Sequence, residues 1–189
     1  MKKKTKQPAI IKQKILKATA NLIVEKSLSS LTLQAIATKA GISKGGLLHY
    51  FPNKQILIHT LFETLFEDFW QNVAKRKEDI VYTQAKSACA YIQVNAEELH
   101  VSKTRVINEC TLIALIFDDE VKKQWARRVA ISRQQDTLEN SDSINALIGR
   151  LAADGLWLSD FLHTYEISPD DRKILIDRLQ EIAQKPQIK

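Results

Sequence analysis

Residues that turn or break a chain are scarce here: 189 residues include five glycines and four prolines. Such a chain is poor in tight turns, and helices are the expected structure. Cysteine is nearly absent as well. Cys89 and Cys110 form no CxxC pair and fall in helix-like segments, so a disulfide framework is excluded. Both read as ordinary buried thiols, which fits a reducing cytoplasm. No apolar run approaches the ~20 residues of a membrane span. The lysine-rich start, Met1-Lys-Lys-Lys-Thr-Lys-Gln-Pro8, is followed by apolar positions that lysines interrupt, not by a signal-peptide core. The four histidines, His49, His59, His100 and His163, form no HExxH or other metal-ligand spacing. We therefore expect no metal or cofactor and a cytoplasmic location.

Acidic residues are scarce over the first 54 positions. Residues 1–54 hold eleven lysines and a single acid, Glu25, a net of +10, whereas the remainder holds 17 basic and 21 acidic residues. A basic head on a mildly acidic body suggests a polyanion bound by the head alone. Charge by itself leaves open a merely solvated, lysine-rich helix.

Apolar residues recur at three- and four-residue steps over 9–27 (Ile10, Ile11, Ile15, Leu16, Leu22, Ile23) and over 54–77, where Ile56, Leu57, Leu61, Leu65, Phe66, Phe69 and Val73 share a face. Between them lie two short helices. Thr32 caps Leu33–Lys39, which ends at Gly41; Ser43 opens another, stopped by Pro52; Asn53 caps the helix after it. Helical periodicity continues near 80–100, 103–117, 118–138, 142–165 and 169–184. The last begins Ser168-Pro-Asp-Asp171: a cap, a proline at the first helical position, then carboxylates facing the positive end of the helix dipole. No alternating strand or hairpin signal occurs. The expectation is an all-α fold of about nine helices.

The short helices carry the function. Gly41 suits the left-handed residue that ends a helix, Ala37 allows a close crossing, and Ile36, Ile42, Leu47 and Tyr50 would bury that crossing against the first long helix. This is helix-turn-helix patterning, in which the second helix enters the DNA major groove. Its first turn holds Gly45 and Gly46, each costing roughly 1 kcal/mol in a helix. Their absent side chains would let the backbone approach phosphates or base edges. Lys44 and Lys54 stand at helix starts, where the dipole disfavours a cation; a phosphate there would satisfy both lysine and backbone N–H groups.

Residues 10–57, and above all Thr32-Leu-Gln-Ala-Ile-Ala-Thr-Lys-Ala-Gly-Ile-Ser-Lys-Gly-Gly-Leu-Leu-His-Tyr-Phe-Pro-Asn-Lys54, resemble the DNA-binding domain of the TetR family of transcriptional regulators. The resemblance implies a homodimer on a palindromic operator, acting as a repressor released by a small ligand. It implies DNA-facing roles for Thr32, Ser43, Lys44, Gly45, Gly46, His49, Tyr50 and Lys54. Thr32, Tyr50 and Lys54 would clamp phosphates, while Ser43, Lys44, Gly46 and His49 would sit nearest the base edges. The arm Lys2–Lys6 would add phosphate or minor-groove contacts. Gly45-Gly-Leu-Leu48 leaves few side chains for base hydrogen bonding, so Lys44, His49 and DNA shape would supply much of the specificity.

The expected domains are 1–54, binding DNA, and 55–189, binding ligand and dimerising, with helix 54–77 linking them. Arg150-Leu-Ala-Ala-Asp-Gly-Leu-Trp-Leu-Ser-Asp160 resembles the C-terminal domains of a TetR subgroup that includes multidrug-responsive repressors. The small residues Ala146, Gly149, Ala152, Ala153 and Gly155 suit close helix approach. With the final helix they would build the dimer's four-helix bundle, as the resemblance implies. An apolar pocket with few polar groups would draw on Trp70, Cys110, Ile113, Phe117, Trp125, Trp157 and Phe161, with His100, Glu109 or Asp154 as polar contacts. Each aromatic also fits a plain core role. Asp154, in an otherwise apolar turn, either caps a neighbouring helix or pairs with Arg150, or it favours a cationic, lipophilic inducer.

Gly41-Ile-Ser-Lys-Gly45 matches G-x-S-x-G, but a hydrolase elbow needs a strand before its serine and the preceding segment is helical, so catalysis is rejected. A regulator of the same fold that acts architecturally or through protein partners, without a small ligand, is the alternative. A membrane-surface role fails, because the apolar positions of helix 10–24 are needed to bury the helix-turn-helix.

Overall fold

A computed structural model describes residues 6–82, 84–96, 102–139 and 143–185. Among them the backbone forms nine helices: α1 (Lys6–Lys26), α2 (Leu33–Ala40), α3 (Lys44–Tyr50), α4 (Lys54–Asp79), α5 (Lys86–Ala96), α6 (Ser102–Phe117), α7 (Asp119–Leu138), α8 (Ser143–Leu162) and α9 (Pro169–Ala183). No described residue lies in a strand, and no described helix is long and apolar enough to cross a membrane.

The helix ends follow local chemistry. Thr32 Oγ1 accepts the N–H of Ala35 and Ser43 Oγ that of Gly46, while Asn53 Oδ1 accepts that of Ile56. Ser168 caps α9 ahead of Pro169. Helix α2 closes on Gly41 at φ 70°. The Gly41 N–H donates to Thr38 O and the Ile42 N–H to Ala37 O, the paired closure that a left-handed terminal residue makes possible. The segment expected to be helical from residue 80 departs from that reading. Helix α4 ends at Asp79, Ala85 has φ 53°, and α5 starts only at Lys86. Its apolar spacing comes from Ile80 and Ala85, both buried, and none of the described residues between them is helical.

The chain divides into two compact units, one drawn from Met1–Phe66 and His100–Lys122, the other from Glu67–Leu99 and Lys123–Lys189. In the first, α1 packs on α2 and α6, and α2 on α3. Ile15, Ile23, Ile36, Leu47, Leu57 and Phe62 are almost fully buried in one core, with Ile42 and Tyr50 packed partly against it. Each such side chain contributes roughly 1.5–3 kcal/mol by leaving water. Ile10 and Ile56, placed on inner faces by periodicity, are instead about half exposed, at 48% and 46%. In the second unit α5, α8 and α9 pack mutually. A Cβ on Gly149 would lie 2.8 Å from Ile92 Cδ1 and 3.2 Å from the Leu179 carbonyl oxygen, so its missing side chain sets the closeness of α8 to both neighbours.

Candidate functional site: a glycine-fronted helix and a buried polar cluster

Helix α3 has seven residues and is anchored by Leu47, which is wholly buried. Lys44, Gly45, Leu48 and His49 are exposed on its outer side. The two glycines have different reasons for being there. A Cβ on Gly46 would come within 3.2 Å of Ser43 Oγ, crowding the cap that starts the helix. A Cβ on Gly45 would meet nothing within 4 Å. The protein's own packing leaves Gly45 room for a side chain, so packing does not require a glycine there.

The other DNA-facing candidates border the same surface. Thr32 and Ser43 are exposed and spend an oxygen lone pair on their caps, which leaves each hydroxyl proton free to donate. The rings of His49 and Tyr50 stand edge to face with centroids 5.4 Å apart, and Tyr50 is half-buried. Lys54 is half-buried, and its Nζ donates to the Leu28 carbonyl at 3.2 Å, tying the start of α4 to the turn after α1. Residues 2–5 of the lysine-rich arm lie outside the described residues.

The ligand candidates divide between the units. Cys110, Ile113 and Phe117 of α6 belong to the first. Cys110 is wholly buried and its thiol donates to the Ala20 carbonyl at 3.5 Å, a core thiol whose ionisation burial pushes up to about 12. Ile113 packs on the core and Phe117 is 71% exposed. Glu109 is half-buried in the same helix, and His100 lies outside the described residues.

In the second unit, Trp70 and Trp125 join Phe69 and Tyr91 in an aromatic cluster. Phe69 lies tilted against Trp125 with centroids 4.9 Å apart and edge to face with Tyr91 at 5.7 Å, and Trp70 lies 5.8 Å from Trp125. Asp154 is at its edge. Its Oδ1 accepts from the Tyr91 hydroxyl at 2.7 Å and from Asn95 Nδ2 at 2.6 Å. The anticipated pairing of Asp154 with Arg150 is not what forms. Arg150 instead holds Asp136 with both Nε, at 3.0 Å, and a terminal nitrogen, at 2.9 Å, while its guanidinium lies 4.8 Å above the Tyr91 ring. Arg150 is engaged by Asp136 of α7, a bidentate partner, each side chain being 3% exposed. Burial raises the pKa of Asp154 and of Asp136 above the ordinary carboxylate value, against the opposing pull of their donors. Burial likewise raises that of Tyr91, with Asp154 adding to it. Two donors here, Trp70 Nε1 and the remaining terminal nitrogen of Arg150, are buried without a partner among the described residues. Trp157 and Phe161 are half-buried further along α8.

Tyr91, Asn95 and Asp136 were not among the sequence candidates. Tyr91 and Asn95 stand four apart on α5, a signal present in the sequence, but only the fold brings α8 to them.

A short capped helix, fronted by glycine and lysine on a strongly basic segment, defines a helix-turn-helix DNA-binding protein. Comparison with known proteins narrows the class. The model described as bacterial regulatory proteins, tetR family, matches residues 15–61, and that of the tetracyclin repressor-like C-terminal domain matches residues 86–184. The chain belongs to the TetR family and is a DNA-binding transcriptional regulator. It is 26% identical over 181 residues to the HTH-type transcriptional regulator BetI 1 of Chromohalobacter salexigens, covering 91% of this chain and 90% of that protein. It is 29% identical over 119 residues to the nucleoid occlusion factor SlmA of Actinobacillus pleuropneumoniae, covering 61% of this chain and 57% of that one. Among solved structures, a TetR-family regulator from Haemophilus influenzae shares the fold with a TM-score of 0.70 at 17% identity, covering 95% of this chain and all (100%) of the other. The multidrug binding protein EbrR complexed with malachite green does so with a TM-score of 0.68 at 18% identity, covering 91% and 97%.

Proposed function

We propose that this regulator is a repressor that binds a palindromic operator as a homodimer and leaves it when a cationic, lipophilic molecule occupies the second unit. The DNA-facing set is Thr32, Ser43, Lys44, Gly45, Gly46, His49, Tyr50 and Lys54, with the first unit's positive charge drawing it to the phosphates. The inducer site is centred on Trp70, Trp125 and Asp154, supplemented by Phe69 and Tyr91. The observation that carries the ligand reading is the aromatic cluster with the half-buried carboxylate of Asp154 at its edge, since ring faces and an anion together favour a cation. The resemblance to EbrR, complexed with the dye malachite green, supports the same chemistry.

The dimer reading rests on α8. Ile144, Ile148, Leu151, Leu158 and Leu162 are each 40–60% exposed. Together with exposed Gly155 they step along the helix by fours and threes, a continuous apolar seam suited to a second helix pair. Exposed Ile174 and Leu175 extend it onto α9.

The test is fluorescence anisotropy of the protein on its own upstream DNA and on scrambled DNA across a salt series, followed by titration with malachite green. Selective binding at dimer stoichiometry with a steep salt slope, reversed by dye, is the expected result. Selective binding that dye leaves unchanged overturns the inducer reading in favour of a regulator without a small ligand. Equal weak binding to both DNAs overturns the operator reading.

A further inference from the structure

The DNA-facing set accounts for Lys44, Gly45 and His49 but leaves Leu48 unexplained. Leu47 is wholly buried, whereas Leu48 is 37% exposed, and from Thr32 to Lys54 it is the one large apolar side chain so exposed. Leu48 follows Lys44 by four residues and Gly45 by three, so the three share a side of α3. Helical side chains lean toward the N-terminus, which directs the isobutyl group toward the Lys44–Gly45 turn without covering Gly45. There Gly45 presents bare backbone with open space above it.

One side of α3 thus carries an ammonium group, bare backbone and an exposed aliphatic branch. In a major groove, the group that complements an aliphatic branch is the C5 methyl of thymine. Against guanine or cytosine the same branch would cover O6, N7 or the N4 amino group and strip their water without replacing its hydrogen bonds. Specificity then comes as much from that loss as from the methyl contact.

We propose that Leu48 is a specificity-determining residue, packing on the 5-methyl group of a thymine in each operator half-site. The proposal rests on the DNA-binding reading and names the base that its least polar residue selects.

The test selects DNA from a random-sequence pool with the full-length protein, then replaces each thymine of the selected site by uracil, which removes one methyl group. At one position per half-site, uracil should weaken binding about fourfold, as loss of one buried methyl requires. Leu48→Ala should bind thymine and uracil equally at that position while keeping its sensitivity elsewhere, and Leu48→Met should retain the preference. A thermal melt of each variant matching the parent separates recognition from folding. Indifference of the parent protein to every uracil, or an undiminished preference in Leu48→Ala, would overturn the proposal alone. A pool with no enriched sequence would overturn the operator reading and this proposal with it.

Discussion

The hydroxyl of Tyr91 donates to Oδ1 of Asp154 at 2.7 Å, joining α5 to α8 through a carboxylate that burial makes reluctant to ionise. Because its native value is raised, the folded chain holds this proton at pH values where the unfolded chain has released it. Stability therefore falls as pH rises from the ordinary aspartate range through the raised native value. Asp154→Asn keeps an oxygen to accept from Tyr91 and Asn95 but removes the titration. Urea unfolding across that window should show a shallower loss for Asp154→Asn than for the parent protein.

The same substitution examines the inducer. Loss of the anion should weaken binding of a cationic dye about tenfold, the scale of one hydrogen bond or contact to a charged group, and leave operator affinity unchanged. Anisotropy with and without dye separates the two, and equal loss of both would remove Asp154 from the ligand site.

Gly41 and Gly45 make a contrasting pair, since neither would bring a Cβ against another atom. Gly41 sits at φ 70°, so Gly41→Ala should destabilise the protein by about 1–2 kcal/mol. Gly45 is in regular helix, and Gly45→Ala should stabilise by about 1 kcal/mol. Operator affinity should nevertheless drop for Gly45→Ala, and a variant both more stable and equally tight on DNA would refute its role. Calorimetry and anisotropy on the same samples give both numbers.

Arg150→Met leaves Asp136 buried without its bidentate partner, which should cost about 3–5 kcal/mol in chemical denaturation. Arg150→Met with Asp136→Leu removes both charges and should recover most of that loss. If the double variant is as unstable as the single, the guanidinium matters through its place on Tyr91 and not through the ion pair.

Leu151→Glu places a charge in the middle of the exposed seam of α8. If the seam joins two copies as proposed, sedimentation should show a dimer for the parent and a monomer for the variant, with helicity by circular dichroism unchanged. Operator affinity should fall steeply, because one half-site no longer recruits the second.

The reading end of the molecule was legible because its signals are local. Thr32, Ser43, Asn53 and Gly41 act within three to five residues of themselves, and the alternation of buried Leu47 with exposed Lys44 and Gly45 is fixed by one turn of helix. Apolar neighbours were harder. Ile56 and Leu57 stand side by side, and periodicity cannot decide which faces inward when the helix has just begun. The polar cluster was least legible. Arg150 has Asp154 one turn ahead, as a helix-surface pair would, yet its partner lies 14 residues back on α7. Tyr91 and Asn95 reach Asp154 only after α5 and α8 have packed at Gly149. Contacts made across sixty residues carry no trace in the spacing of either segment.

Seven residues with two glycines cannot sustain a helix in isolation. Helix α3 keeps its shape on loan, from the Ser43 cap at one end and from the socket around Leu47 beneath it. A loosening of that socket anywhere in the first unit is thus felt at Gly45 as fraying of the surface proposed to meet DNA. The sharpness with which an operator is read becomes a property of the hydrophobic core below it, and substitutions that never approach the nucleic acid will blur its sequence preference.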